Sequence, residues 1–336
     1  MPLGIAYLAS SLRERGHQAL VLDALGEDIN HIGTSYSPHV LYRGLSTQAI
    51  LERIPARLDA LGVTTMFSQD WPHVEDLIRA IRREFPRLPL ILGGEHATAA
   101  SDYILDSCSA VPYVALGEGE ETLVEFADFL DGKREITDVP GLHFRLASGA
   151  LVKNPPRARI RVVDDLPWPA WDLCDLEPYF ETGEGHGVER GRSMPLLATR
   201  GCPYQCTFCS NPGMWTTRYV MRSVPKVLDE IAYYQRRYQA ENIDFFDLTA
   251  IVKRDWILEF CRQIKERRLR LSWQLPSGTR SEALDGEVLG EMASSGCLNV
   301  TYAPESGSED TLREIKKKVS LPRLYESIRQ AKRQGI

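Results

Sequence analysis

Residues 194–210 read Met-Pro-Leu-Leu-Ala-Thr-Arg-Gly-Cys-Pro-Tyr-Gln-Cys-Thr-Phe-Cys-Ser. The apolar run Leu196–Thr199 has the character of a buried strand. It passes through Arg200 and Gly201 straight into Cys202, Cys206 and Cys209, a CxxxCxxC spacing. Thiolates clustered this tightly at a strand end point to a metal centre. Iron–sulfur clusters are held by Cys thiolates, and zinc can take three Cys with one His. The nearest histidine is His186, before the strand, so a fourth zinc ligand is not at hand. Three cysteines on a four-iron cluster would instead leave one iron open to a further ligand.

Downstream, strands are expected at Asn242–Asp247, Leu271–Gln274 and Asn299–Tyr302. Helices are expected at about Val224–Tyr238, Asp255–Arg267, Asp285–Ser294, Glu309–Lys317 and Arg323–Gln334. This alternation predicts a (βα) barrel over 193–336, with its chemistry at the carboxyl ends of the strands. Four strands precede Ile336, so the barrel is expected to be incomplete at that end.

Upstream, residues 132–192 are rich in Pro and Gly and carry a hairpin signal around Leu142–Val152, turning at Ser148-Gly149. They read as a linker with a small β extension. Residues 1–131 alternate helix and strand: a helix over 3–15, short strands at Ala19–Leu22, Val63–Phe67, Leu88–Leu92 and Val111–Leu116, and an amphipathic helix at His73–Glu84. Such alternation predicts a parallel sheet covered on both faces, a flavodoxin-like α/β domain with ligands beyond the carboxyl ends of its strands. The segment opens on a helix, so the first, central strand of that order is expected to be missing and the domain truncated. In two places, LILGGEHAT (90–98) and VALGEGEET (114–122), a strand runs into glycines and then a helix start, where backbone can approach a ligand closely.

The bulk properties narrow the field. Net charge is −6, and the longest block of like charge is Lys316-Lys317-Lys318, so nucleic acid is not an expected partner. No apolar run approaches the roughly 20 residues a membrane helix needs, and no signal peptide is visible. A cytoplasmic location is expected. Seven cysteines, an odd number, argue against a disulfide framework. Cys108, Cys174, Cys261 and Cys297 stand alone and are expected to be buried structural thiols.

The order of these features, a glycine-loop α/β domain followed by a CxxxCxxC barrel, resembles the radical S-adenosylmethionine superfamily in its cobalamin-binding branch, along the whole chain. The resemblance implies a [4Fe–4S] cluster on Cys202, Cys206 and Cys209 that cleaves S-adenosylmethionine. Phe208, the aromatic residue before the third cysteine, would lie against the adenine. Asp247, in Phe245-Phe246-Asp247-Leu248-Thr249, would stand where relatives often carry Gly-Gly-Glu for the methionine amino group. Glu305 and Ser306, in Pro304-Glu305-Ser306-Gly307-Ser308, would reach the ribose or methionine carboxylate, with strand-end turn chemistry as their other reading. Gly93, Gly94, Gly117, Glu118 and Gly119 would line the corrinoid and its nucleotide tail, with Ser68 near its lower face. Many cobalamin proteins present a histidine to cobalt in a D-x-H-x-x-G loop, and none is found. His73 reads as first-turn helix and His96 fits no ligand spacing, so no histidine ligand to cobalt is expected.

The leading expectation is a methyltransferase acting on an unactivated carbon of a small-molecule or lipid substrate, supplied with electrons by a flavodoxin or ferredoxin. A non-methylating radical reaction, such as oxygen-independent ring formation or ring contraction, is the alternative. A non-catalytic cofactor-binding sensor is a third reading.

Overall fold

The computed structural model describes residues 1–249, 253–280 and 284–336. It divides into two compact units: Pro2–Ile160 with Pro167–Pro178, and Tyr179–Ile336 with Met1 and Arg161–Leu166.

The first unit is built on a five-stranded sheet in chain order: β1 (Leu61–Thr64), β2 (Leu90–Gly93), β3 (Tyr113–Ala115), β4 (Leu142–Arg145) and β5 (Leu151–Lys153). The first three are parallel; β4 and β5 continue the sheet antiparallel. Alternation along β2 serves both faces. Leu90 and Leu92 pack with Ile78 and Ile81 of α2 (Trp71–Glu84) and with Ile104 and Leu105. Ile91 turns the other way, toward Phe126 of α3 (Gly119–Leu130), Ala115 and Phe144. Helix α1 (Leu3–Glu14) packs on α3 so closely that a Cβ on Gly119 would stand 3.0 Å from Leu8 Cδ2.

Two expectations for this unit need correction. Ala19–Leu22 forms no strand, and Leu20 is 60% exposed. A strand exists only where a neighbour takes its backbone hydrogen bonds, and none does so here among the described residues. The sheet is mixed rather than wholly parallel, because the hairpin Leu142–Lys153 is bonded to β3 instead of standing apart.

The second unit carries a four-stranded, wholly parallel sheet in the order β9 (Cys297–Tyr302), β8 (Ser272–Thr279), β7 (Asn242–Phe245), β6 (Ser193–Leu196). Between and after them run α4 (Val224–Tyr238), α5 (Arg254–Glu266), α6 (Gly286–Ser294), α7 (Glu309–Glu314) and α8 (Leu321–Arg333). This is the partial βα barrel expected. Phe245, Trp273 and Phe260 of α5 meet edge-on between sheet and helix layer, a geometry aromatic quadrupoles favour. The opposite face of the strands is polar: Asp244 Oδ1 accepts from Asn242 Nδ2 and Gln274 Nε2, both at 2.7 Å. The glycine-rich segment 183–191 lies against that face. Gly187 N donates to Asp244 Oδ2, and a Cβ at Gly187 would stand 2.4 Å from Gln274.

Candidate functional site

The cysteine loop leaves the carboxyl end of β6, as the sequence predicts. Thr199 and Arg200 first pair antiparallel with Val220 and Met221, and Gly201 then turns the chain at φ +81°. Cys202 is gripped from two sides. Thr249 Oγ1 lies 3.5 Å from its sulfur, and Asn211 Nδ2 donates to its carbonyl at 3.2 Å. Cys206 and Cys209 sit on a tight turn, with Cys209 N bonded to Cys206 O.

The outer side of the loop is tied to the segment after α7. Thr207 N donates to Ile315 O at 3.0 Å, and Cys206 Sγ lies 3.9 Å from Lys316 O. Arg280, 6% exposed, lies over the Tyr204 ring at 3.7 Å and donates to Lys318 O. Burial pushes the Cys206 thiol pKa up, while Lys317 and Arg280 pull it down; Cys209 and Cys202 push it up in their turn. The three thiols therefore sense one another beside two cations, a setting that favours thiolates once a positive metal centre is bound. Among the described residues, no three His, Cys, Asp or Glu side chains are gathered as they would be around one ion. The donor set suits a cluster with one iron unligated by protein.

Phe208 is 55% exposed at the rim of this loop, with Lys317 Nζ 6.0 Å from its ring centre. Lys317 also pairs with Glu305 at 2.9 Å, and Glu305 is held at φ +70°. Left-handed backbone on a non-glycine residue stores strain and clusters at functional sites. Ser306 Oγ accepts from Ser308 N, which is the turn role that formed its other reading. Asp247 is 1% exposed; its oxygens accept from Ala198 N at 3.1 Å and from Thr199 Oγ1. In this arrangement Asp247 braces the strand end that carries Cys202.

In the first unit, the predicted loops gather at the carboxyl ends of β1, β2 and β3. Thr98 ties the two glycine loops together, its hydroxyl donating to Gly94 O and accepting from Gly117 N at 3.0 Å. Gly94 has φ +107°, and a Cβ there would meet Thr65 O at 2.4 Å, so its backbone packs on protein backbone. Gly119 is accounted for by α1. The Glu118 carboxylate, 5% exposed, accepts from Arg159 Nε at 2.6 Å and Ile160 N at 2.9 Å. Ser68 is exposed beside Met66 and Phe67, which are 52% and 60% exposed. Nearby, buried Thr65 Oγ1, Trp71 Nε1 and Glu95 Oε1 find no partner among the described residues. An apolar shelf above unmet polar atoms at strand ends fits a large ligand with an amide-rich rim. His73 lies in α2, bonded to Ser35 Oγ and stacked on Tyr42, a structural role.

Residues 1–127 match the B12 binding domain family, and residues 196–336 match the radical SAM superfamily. The chain joins a B12-binding domain to a radical S-adenosylmethionine domain. It is 29% identical, over its whole length, to 67% of the cytidylyl-2-hydroxyethylphosphonate methyltransferase of Streptomyces wedmorensis. It is 24% identical, again over its whole length, to 57% of the anaerobic magnesium-protoporphyrin IX monomethyl ester cyclase of Rubrivivax gelatinosus. Among solved structures, the radical S-adenosylmethionine methyltransferase TsrM of Kitasatospora setae superposes with a TM-score of 0.75 at 20% identity, covering all of this chain and 63% of that one. The chain thus spans roughly three-fifths of the solved structure it matches.

Several residues of this radical S-adenosylmethionine protein carry no local signal in the sequence: Thr249 and Arg280 reach the cysteine loop from the ends of β7 and β8, and Lys317 from the segment after α7. Only the general rule that barrel chemistry gathers at carboxyl ends could have pointed to them. The four isolated cysteines are free thiols, three of them buried. Burial lifts Cys174 to about 12 and Cys261 to about 11.

Asp247 supplies a test of the brace. Burial raises its carboxyl from the usual 3.8 to about 6, against the pull of the Thr199 hydrogen bond. The native state therefore holds this proton more tightly than the unfolded chain does. Its contribution is full below pH 4 and is lost as pH rises to about 6, a loss of about 3 kcal/mol. The stability difference between wild type and Asp247→Asn, followed by thermal unfolding, should fall through that window and flatten above it. Parallel curves would show that Asp247 is not buried as described.

Proposed function

We propose that this chain is the cofactor-bearing portion of a cobalamin-dependent radical methyltransferase that alkylates an unactivated carbon. What carries the reading is the cysteine loop at the carboxyl end of β6, braced by Asp247 and Thr249, in one chain with a glycine-loop domain of the B12-binding kind. When bound, the cluster supplies the electron that cleaves S-adenosylmethionine, and cobalamin carries the methyl group.

The residues have separate tasks. Cys202, Cys206 and Cys209 hold three irons. Phe208 offers an exposed ring for the adenine. Glu305 and Lys317, paired at the rim, offer a carboxylate and an ammonium for the ribose hydroxyls and the methionine carboxylate. Asp247 keeps Cys202 in place and, being nearly inaccessible, acts through the backbone. Ser68, Gly93 and Gly117 line the corrinoid, with Gly94, Glu118 and Gly119 shaping the loop behind them. Small-molecule or lipid substrates fit this reading, as do a flavodoxin or ferredoxin donor and a cytoplasmic location that keeps the thiols reduced. Among the described residues no helix is long and apolar enough to cross a membrane.

The likeness to the cyclase favours one second reading, ring formation without methyl transfer. Incubating the reduced, cofactor-loaded protein with candidate substrates and methyl-labelled S-adenosylmethionine separates the two. Label should appear in product together with 5′-deoxyadenosine. Deoxyadenosine with an unlabelled, altered product would overturn methyl transfer in favour of the ring chemistry.

A further inference from the structure

His96 was set aside on spacing, yet its surroundings are specific. It follows Gly93-Gly94 in LILGGEHAT and is 5% exposed. Its ring lies 5.3 Å from that of Trp71, and Nδ1 stands 2.8 Å from Ser68 Oγ, across 28 residues of chain. Nε2 is buried and meets no partner among the described residues. Burial lowers the imidazole pKa, so the ring is neutral near pH 7 and carries one N–H.

The position of that hydrogen follows from the cost of leaving it unmet. An orphaned buried N–H is rarer in native structures than an orphaned acceptor. With Nε2 unpartnered, the hydrogen belongs on Nδ1, where Ser68 Oγ accepts it. The Ser68 hydroxyl then has one of its two lone pairs occupied from inside the protein, and its own O–H left over to donate. Ser68 is exposed at the carboxyl end of the sheet, beside the apolar shelf of Met66 and Phe67. Its O–H is therefore available to a ligand on that exposed side.

We propose that His96 is a positioning residue for cobalamin: by donating Nδ1–H to Ser68, it fixes the Ser68 hydroxyl as a donor to an acceptor oxygen of the corrinoid. Contact with cobalt itself is not involved. The inference rests on the cobalamin reading above and adds to it the pair of residues that orients one contact.

The test is a double-mutant cycle on hydroxocobalamin binding to the full chain, read by absorbance after removal of free ligand. Ser68→Ala and His96→Leu should each weaken binding about five- to tenfold, the worth of one hydrogen bond. The double variant should lose no more than Ser68→Ala alone, because His96 acts only through Ser68. His96→Asn, which keeps a donor near the Nδ1 position, should retain most of the affinity, whereas His96→Gln should not. Additive losses would overturn the proposal, as would an unaffected Ser68→Ala. Cobinamide, which lacks the nucleotide tail, identifies the acceptor. Equal sensitivity to Ser68→Ala places it on the corrin, and insensitivity places it on the tail. A wild-type chain that binds no cobalamin would sink the functional reading instead, a failure distinct from any of these.

Discussion

Replacing Cys206 with Ala is expected to bring release of 5′-deoxyadenosine to background while hydroxocobalamin binding stays intact. A cluster with one open iron needs all three thiolates, and two leave a second iron without a protein ligand. Cys206 is set in the protein by Lys316 O beside its sulfur and by the bond from its neighbour Thr207 to Ile315. Cys202→Ala and Cys209→Ala should behave alike. Cys261→Ala is the matched control: a fully buried thiol on α5, whose loss should cost some stability and no iron. Iron content after anaerobic reconstitution, with deoxyadenosine measured by chromatography, reads both expectations. A Cys206→Ala protein that still cleaves S-adenosylmethionine would place the centre elsewhere.

The second large effect is expected at Gly94. Val at this position must take φ +107°, where a β-branched side chain is strained by about 1–3 kcal/mol. Its Cβ must also share space with Thr65 O at 2.4 Å. The neighbour is backbone on the strand end of β1, so relief requires moving β1 against β2. Gly94→Val should therefore unfold or loosen the unit of Pro2–Ile160, lowering its melting temperature and abolishing cobalamin retention. The cluster half should still load iron and release deoxyadenosine. If cobalamin is lost at an unchanged melting temperature, Gly94 is a ligand contact and the packing account is wrong.

These predictions also show what kind of information each came from. The glycines of LILGGEHAT were legible as positions needing close backbone approach, but not what approaches. At Gly94 it is Thr65, and at Gly119 it is the Leu8 side chain. Helix α4 runs over the residues expected of it, Val224–Tyr238, and buries Val227, Leu228, Ile231 and Tyr234 at helical spacing. Ala19–Leu22 was as apolar as a strand yet forms none, because strand formation depends on a partner that a local pattern does not name. His96 had no recognisable ligand spacing, and its role depends on Ser68, which only folding brings to it.

From the sequence alone came the metal-binding triplet, the two-part α/β architecture and the kind of cofactor each part takes. The triplet and the architecture are matters of spacing and periodicity, carried by residues near one another along the chain, and the cofactors are what the family resemblance implies. Tertiary structure decided which carboxylates are free and which are spent. Asp247 turns to the backbone of Ala198, Glu118 to Arg159, and Glu305 alone of the three stands exposed. The reason is physical: a side chain's chemistry depends on what its burial leaves it to bond with, and those partners arrive from strand ends tens of residues away.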